Sequence, residues 1–527
     1  MKKDLTIGIV GSGGDGVIVA GDFLVWSAAS EGLYSFMLKS FGSQIRGGES
    51  SCKVRVSEEP VLSQGDKLDI LVAFNWKDYA KFQSELALKE GAVVLCDSAD
   101  STPEDDIPLP RLLHPLIYKI PFKEIAAAQT GRGPGKNMVM LGVLSEMFGF
   151  HADAIRTALR KRFKKKGDAV VEVNLRLFDA GADYVREHIG RDGEVDFSYQ
   201  KAKPKMVISG NEALALGAIA ARIGFFAGYP ITPASEIMEY LARLMPLHDG
   251  VWVQAEDEIA AIGMALGASY AGKRAMTATS GPGLSLMNEM IGLASLAEIP
   301  VVIVDVQRAG PSTGMPTKSE QADLQQALYA AHGDAPRAVI APVDVEDCFN
   351  VAMDAFCIAE EYQMPVIILS DQFIGQRKES VPMFDPGRIK ICERPIPGPE
   401  EIKSFKRYLL NESGISPMSF PGIANGEYTA AGIEHDEFGN PTSSSEMHEQ
   451  MNAKRFRKLE TLRRRWKHVR RYGPEDAEVG VIGWGSTKGA IKEAVLKANE
   501  MGMKVTGLVP RLLYPLPYQE FDAFLKP

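Results

Sequence analysis

The sequence predicts a multidomain α/β fold, and three observations carry that prediction. Residues 299–306 and 365–370 are near-continuous apolar runs, the mark of parallel strands covered on both faces. Residues 5–20 read as a buried strand, a glycine-rich turn and a helix. Residues 228–283 hold three strand–loop–helix passages, and in an open α/β sheet ligands sit in the crevice at the carboxyl ends of the strands. The 527 residues allow about three to four domains of ~150 residues each.

Hydrophobic and charged residues make up 45% and 24% of the chain, the proportions of an ordinary globular protein. A net charge of −9 argues against a general nucleic-acid binder. No apolar run is long enough to cross a bilayer, and the first residues lead into a strand rather than a signal peptide, so a cytoplasmic protein with no membrane contact is expected. The cysteines, Cys52, Cys96, Cys348, Cys357 and Cys392, include no Cys-x-x-Cys pair. Local spacing therefore assembles neither a zinc site nor an iron–sulfur cluster, no metal ligand is assigned, and the odd count fits a reducing compartment.

The first domain is expected over residues 1 to about 190. After the strand at 5–10, Gly11-Ser12-Gly13-Gly14-Asp15-Gly16 has the glycine spacing of a dinucleotide fingerprint, in which backbone N–H groups approach a pyrophosphate. The acidic residue that would bind a ribose some 20 positions on is missing, because residues 33–39 read as the next strand. Strands follow at 68–74 and 92–97, with a helix around 138–144. The basic run at 160–166 ends a helix before Gly167, where cations complement the helix dipole. Residues 191–205, polar and rich in Gly, Asp and Lys, are expected to be a linker.

The second domain is expected over about 206–380. Thr232 is placed to cap a helix that Pro233 opens, with Ile237, Met238, Leu241, Leu244 and Met245 on one face. The same hydroxyl and free N–H groups could instead bind an anion. Glu256 follows a strand at 251–253 and stands where the chain turns inward; a buried carboxylate there would have a raised pKa suited to proton transfer. Asp257 and Glu258 read as acids that complement the dipole of the next helix. Arg308, just past an apolar strand, could grip a carboxylate bidentately.

These stretches also resemble a known family. Tyr229-Pro230-Ile231-Thr232-Pro233, Gln254-Ala255-Glu256-Asp257-Glu258, Thr279-Ser280-Gly281-Pro282-Gly283 and Gly310-Pro311-Ser312-Thr313-Gly314-Met315-Pro316-Thr317 resemble, in order, the α subunit of 2-oxoacid:ferredoxin oxidoreductases. The resemblance implies that this domain binds the pyrimidine half of thiamine diphosphate. It implies that Glu256 bonds the aminopyrimidine as the catalytic acid, that Thr232 and Arg308 hold the substrate, and that Tyr229, Pro230, Ile231 and the Ser280, Gly281, Pro282, Gly283 loop flank the cofactor. The glycine loop, together with residues 40–49, resembles the family's γ domain, which is associated with coenzyme A; Gly11, Gly13, Gly14, Gly16 and Arg46 are the expected contacts. Gly14-Asp15-Gly16 also imitates the opening of the metal-and-diphosphate motif of thiamine enzymes, but the Asn that motif needs does not occur before Asn75. That site is rejected.

Residues 381–470 are expected to be a Pro- and Gly-rich connection, with pieces at 415–417, 421–422 and 432–437 that resemble family members acting on 2-oxoglutarate. His435 there has no second histidine at ligand spacing and reads as structural. The ten Lys and Arg of residues 454–471 accompany Leu459, Leu462, Trp466 and Val469 at helical spacing, which predicts a helix with one apolar stripe and a solvated basic face. Residues 471–527 resemble the first part of a transketolase C-terminal domain, with two strands at 479–487 and 504–509 and a loop at 511–517. That domain is expected to be incomplete and to be finished by further chain or by another subunit.

The resemblance implies a thiamine-dependent oxidative decarboxylase that turns 2-oxoglutarate and coenzyme A into succinyl-CoA, carbon dioxide and reduced ferredoxin. It implies a β subunit carrying the diphosphate site, Mg2+ and a [4Fe-4S] cluster, ferredoxin as a further partner, and a dimer of αβ heterodimers. The alternatives are a pyruvate or branched-chain 2-oxoacid enzyme, a non-oxidative thiamine transferase, and a nucleotide-binding regulatory module built on the glycine loop.

Overall fold

The computed structural model describes residues 4–42, 48–131, 134–190, 203–466 and 469–526. The chain divides into two compact units: residues 1–208 with 377–383, and residues 209–376 with 384–527. Arg46 and the linker residues 191–202 lie outside the described residues.

The first unit is built on β1 (Asp4–Gly11), β2 (Tyr34–Phe41), β3 (Ser50–Ser57), β4 (Leu68–Ala73), β5 (Leu88–Asp97), β6 (Leu116–Ile120) and β7 (Met206–Ser209), joined by a returning strand, Lys378–Val381. They form one mixed sheet in the order β6-β5-β4-β1-β3-β2, then the returning strand, then β7. β1, β4, β5 and β6 run parallel, whereas β3 is antiparallel to both β1 and β2. Ile7, Ile9, Val72 and Leu95 from the sheet meet Phe23, Leu141 and Phe178 from the helices in one apolar core.

Two of those helices, Lys136–Phe148 and Asp168–His188, approach so closely that a Cβ on Gly142 would strike the Phe178 carbonyl and lie 2.9 Å from the Ala182 nitrogen. Glycine is required here because the obstacle is backbone, which cannot swing aside. Gly142→Ala is expected to destabilise the first unit by ~1–3 kcal/mol or more, seen as an earlier thermal unfolding transition. An unchanged transition would show that the helices separate at no cost.

The second unit holds β8 (Phe225–Gly228), β9 (Val251–Gln254), β10 (Ala275–Thr279), β11 (Val301–Gln307), β12 (Ala338–Ile340) and β13 (Pro365–Asp371). Counting the returning strand of the first unit as β14, the chain continues with β15 (Val469–Tyr472), β16 (Val479–Ile482), β17 (Val505–Pro510) and β18 (Leu512–Tyr514). The main sheet has the order β18-β12-β13-β11-β10-β8-β9. Its strands are parallel except β18, which is antiparallel to β12. β11 and β13 are buried at every residue, as their continuous apolar runs predict. Ile303, Leu369 and Val339 of the sheet meet Leu284, Met287 and Ile291 of the helix Gly281–Leu296 in the core.

The end of the chain corrects two expectations. β15, β17 and β16 form a separate three-stranded sheet, so Val469 lies on a strand rather than on the preceding helix. The segment expected as a loop at 511–517 contributes β18 to the main sheet. The basic helix runs over Ser445–Arg465, and only part of its cationic face is solvated: Arg457, Arg464 and Arg465 are exposed, whereas Lys454, Arg455 and Lys458 are buried. The reason is Glu298, itself fully buried, whose carboxylate takes both ammonium groups, Lys454 at 2.6 Å and Lys458 beside it. Arg407 donates to the Glu298 carbonyl at 2.7 Å, and Arg455 pairs with Glu434 at 2.8 Å. Opposite charge from remote segments replaced water as the partner of these three cations.

Two further residues are placed by tertiary contacts. His435 is buried against the Tyr408 ring, with ring centroids 3.9 Å apart, and burial pushes its pKa down, as suits a structural histidine. Cys357 on the helix Val345–Tyr362 is bonded to Cys392, a pairing that a separation of 35 residues without motif spacing does not announce.

Candidate active site

The loops that follow β8, β9, β10 and β11 converge because these strands are neighbours in the sheet and run the same way. The first loop departs from expectation. Thr232 caps nothing: the helix starts at Ser235 with Ala234 at its cap position. The chain is held out of the helix by side chains on its carbonyls, Arg308 donating to Thr232 O at 2.6 Å and Asn211 to Pro233 O at 2.9 Å. Tyr229 and Pro230 are exposed, while Ile231 and Thr232 are half-buried.

Arg308 ties this loop to the fourth. Its other terminal nitrogen donates to Thr313 O at 3.0 Å, and its Nε–H has no partner among the described residues. Burial pushes its pKa below the ordinary arginine value, with Asp323 acting the other way. The guanidinium is thus a buried clamp between loops with one donor left over, not the bidentate fork free for a carboxylate that the sequence suggests.

The second loop contains the main correction. Glu256 is exposed, contrary to the expectation of a buried carboxylate, and it is Glu258 that is buried. Asp257 caps the helix Glu258–Tyr270, its carboxylate accepting from Ala260 N at 2.7 Å. That cap sets the rotation of the helix, so Glu258 falls on the face shared with Ala261, Ile262, Ala265, Leu266 and Ser269. The spacing of those residues from position 258 was the signal available in the sequence. Its carboxylate reaches the third loop: a Cβ on Gly283 would lie 2.5 Å from Glu258 Oε1 and would also strike the Thr279 hydroxyl.

In the third loop Ser280 is fully buried and its Oγ has no hydrogen-bond partner among the described residues. Gly281 and Gly283 are buried and Pro282 half-buried at the start of the helix Gly281–Leu296. Asp323 presses on this turn, since a Cβ on Gly281 would lie 2.8 Å from its Oδ2. Beyond the loops, the second unit exposes Trp252, Ile259, Met264, Leu286 and Met315. The loops thus gather buried polar groups, Glu258, Ser280 and Arg308, with the half-buried Asp323, at the carboxyl ends of the strands. The unpartnered Ser280 hydroxyl and the buried Glu258 carboxyl suit the polar edge of an aminopyrimidine. No group of three or more acidic, His or Cys side chains fit to hold a metal ion is found among the described residues.

The glycine loop belongs to the first unit. Gly14 and Gly16 adopt positive φ of 95° and 75°, which explains glycine at both. The loop does not stand open: Asp15 accepts the Ser12 N–H at 2.9 Å and is paired with Lys136 at 2.9 Å, while Asn137 donates to Gly16 O at 3.3 Å. Lys136 is the cation beside this turn that sequence reasoning missed, because it arrives from a helix 120 positions downstream of Gly16. Gly11 ends β1 and Gly13 lies in the turn, and no helix among the described residues is long and apolar enough to cross a membrane.

Residues 216–454 match the family described as "Pyruvate flavodoxin/ferredoxin oxidoreductase, thiamine diP-bdg", and residues 6–184 match "Pyruvate ferredoxin/flavodoxin oxidoreductase". The chain is 33% identical to the 2-oxoglutarate oxidoreductase subunit KorA of Mycobacterium tuberculosis, over 98% of this chain and 83% of that protein. It is 32% identical to the alpha subunit of 2-oxoacid:ferredoxin oxidoreductase 2 of Aeropyrum pernix, over 99% and 89%. The solved 2-oxoglutarate:ferredoxin oxidoreductase from Magnetococcus marinus, with 2-oxoglutarate, coenzyme A and succinyl-CoA bound, superposes with a TM-score of 0.94 at 41% identity, covering 99% of this chain and 90% of that one.

Proposed function

Because this chain belongs to the 2-oxoacid:ferredoxin oxidoreductase family, as an α-type subunit with a γ-like N-terminal part, we propose that it catalyses coenzyme A-dependent oxidative decarboxylation of 2-oxoglutarate to succinyl-CoA, with ferredoxin as electron acceptor. The observation that carries the choice of 2-oxoglutarate is the likeness, along 99% of the chain, to an enzyme whose solved structure holds that acid with coenzyme A and succinyl-CoA. The apolar side chains that the second unit leaves exposed, and the lack of a metal-binding cluster among the described residues, support a cofactor shared with a β-type subunit, which would bring the diphosphate site, Mg2+ and the [4Fe-4S] cluster. We place the assembly, a dimer of αβ heterodimers, in the cytoplasm. In domain terms, residues 1–190 would be the γ domain, 206–380 the pyrimidine-binding domain, 381–470 a connecting segment and 471–527 the transketolase-like end.

Thiamine diphosphate, when bound, supplies the carbanion chemistry that breaks the bond to the carboxyl group. The residues of this chain bind, orient and move protons around it. Glu258, rather than the exposed Glu256, would bond pyrimidine N1′ as the acid/base group, because it is the buried carboxyl of this loop and lies against the Gly283 turn of the third loop. Ser280, Gly281, Pro282 and Gly283 would shape the wall beside the ring, with Tyr229, Pro230 and Ile231 opposite. Thr232 and Arg308 would receive a substrate carboxylate, Arg308 through its unpartnered Nε–H. In the first unit, Gly11, Gly13, Gly14 and Gly16 with Arg46 would face coenzyme A; Lys136 would meet its phosphates on release from Asp15.

The test is to co-express the chain with its β-type partner and measure viologen reduction with a panel of 2-oxoacids. Reduction that needs both coenzyme A and 2-oxoglutarate is expected. Preference for pyruvate or a branched-chain acid would move the enzyme within its family. Turnover of the 2-oxoacid without any dye reduction would make it a non-oxidative transferase.

A further inference from the structure

Asp305 is a charged residue in the wrong place. It sits in the middle of β11, fully buried, paired across the sheet with Thr279 on β10 and Leu369 on β13. Neither of its carboxyl oxygens meets an N–H or O–H from any other described residue. A carboxylate left so would be strongly destabilising. The carboxyl of Asp323 lies within hydrogen-bonding reach of it, and Asp323 Oδ2 likewise has no donor among the described residues.

Asp323 is positioned by three contacts. Its N–H donates to Gln307 Oε1 at 3.0 Å, and Gln307 in turn donates to Ser370 O at 2.9 Å. Its carboxyl oxygens fill the space a side chain on Gly281 would need, at 2.8 and 3.0 Å from that Cβ position. The charges of Arg308 and Glu320 both act on it, in opposite directions. Two carboxylates this close cannot both ionise, so the pair holds one proton and titrates as a unit. The deeper partner keeps it: burial first, then the charge of Asp323, raises the Asp305 carboxyl well above the ordinary range.

We propose that Asp305 and Asp323 share a single proton beneath the loop cluster, and that Asp323 is a positioning residue holding the Arg308 clamp and the Gly281 turn in place for the 2-oxoacid carboxylate. Asp305 donates and Asp323 accepts, which leaves the negative charge on the oxygen atoms nearer Arg308. Arg308 has no ion pair within 4 Å among the described residues, so Asp323 is the acid that balances it within the site. The role given to Arg308 rests on the function proposed above; the shared proton does not.

The experiment uses the assembled enzyme and two readouts. Infrared difference spectra between wild type and Asp305→Asn at neutral pH are expected to show one protonated-carboxyl band lost, whether or not the enzyme turns over 2-oxoglutarate. Asp305→Asn keeps a donor to Asp323 and is expected to leave KM and kcat within about twofold, whereas Asp323→Asn raises KM for the 2-oxoacid about tenfold at nearly unchanged kcat, the pattern of lost ground-state binding. Absence of the infrared band would overturn the shared proton. Equal KM for Asp323→Asn and wild type, in an enzyme that does turn over a 2-oxoacid, would overturn the positioning role. A fall in kcat and thermal stability with KM unchanged would reduce Asp323 to a merely structural group and overturn it equally.

Discussion

Glu258→Gln is expected to lower 2-oxoacid-dependent dye reduction by ~10²- to 10⁴-fold, the usual loss when a positioned acid/base group is removed. The amide keeps the shape and one hydrogen bond but cannot exchange a proton, so the variant should fold, assemble with its partner and bind thiamine diphosphate. The paired variant Glu256→Gln is expected to stay within about threefold of wild type, because an exposed acid beside a helix N-terminus contributes at most ~0.3–1 kcal/mol through the dipole. Hydrogen–deuterium exchange at the thiazolium C2 separates the two without turnover: slow in Glu258→Gln, ordinary in Glu256→Gln. An inactive Glu256→Gln beside an active Glu258→Gln would return the role to the residue that the loop motif alone suggests.

Glu298→Gln is expected to cost the second unit ~3–5 kcal/mol, since removing one partner of a buried ion pair strands the other. Here it would strand two: Lys454 and Lys458 both close on the carboxylate, and all three side chains are almost wholly shielded from water. Burial pushes the Glu298 carboxyl up, but Lys454, Lys458 and Arg407 together outweigh it and hold it far below its ordinary value. Its contribution to stability is therefore present above the unfolded carboxyl pKa of 4.5 and is lost as pH falls through the folded value. Lys458 has the opposite sign. Burial, opposed by Glu298, lowers its pKa from 10.5 to about 7, so the unfolded chain binds that proton more tightly than the folded one. Stability should rise with pH between those two values, and Lys458→Met should remove that part of the slope. Denaturant unfolding at a series of pH values measures both effects; a loss below ~1 kcal/mol for Glu298→Gln would show that water reaches the cluster.

The sequence by itself determined what depends on neighbouring residues. Continuous apolar runs placed β11 and β13 as doubly covered parallel strands, because burial on both faces leaves no room for alternation. Four loop motifs in order carried the family, and the glycines at positions 14 and 16 marked a turn that only positive φ satisfies. Tertiary structure decided what depends on distant partners. Whether residue 256 or 258 points inward is a question of helix rotation, set by the Asp257 cap and the contact with Gly283. Whether a lysine-rich face meets water or protein was decided by Glu298, some 156 residues before Lys454. Arg308 reads in the sequence as a grip for a carboxylate and became a clamp between loops once the Thr232 and Thr313 carbonyls took its terminal nitrogens. Asp305 passed unnoticed inside an apolar run, since a single acid in a strand acquires its chemistry only when a second, Asp323, is brought against it. Periodicity reports how a residue is buried; only the folded chain brings the opposing charge, carbonyl or carboxyl that decides what a buried polar group can do.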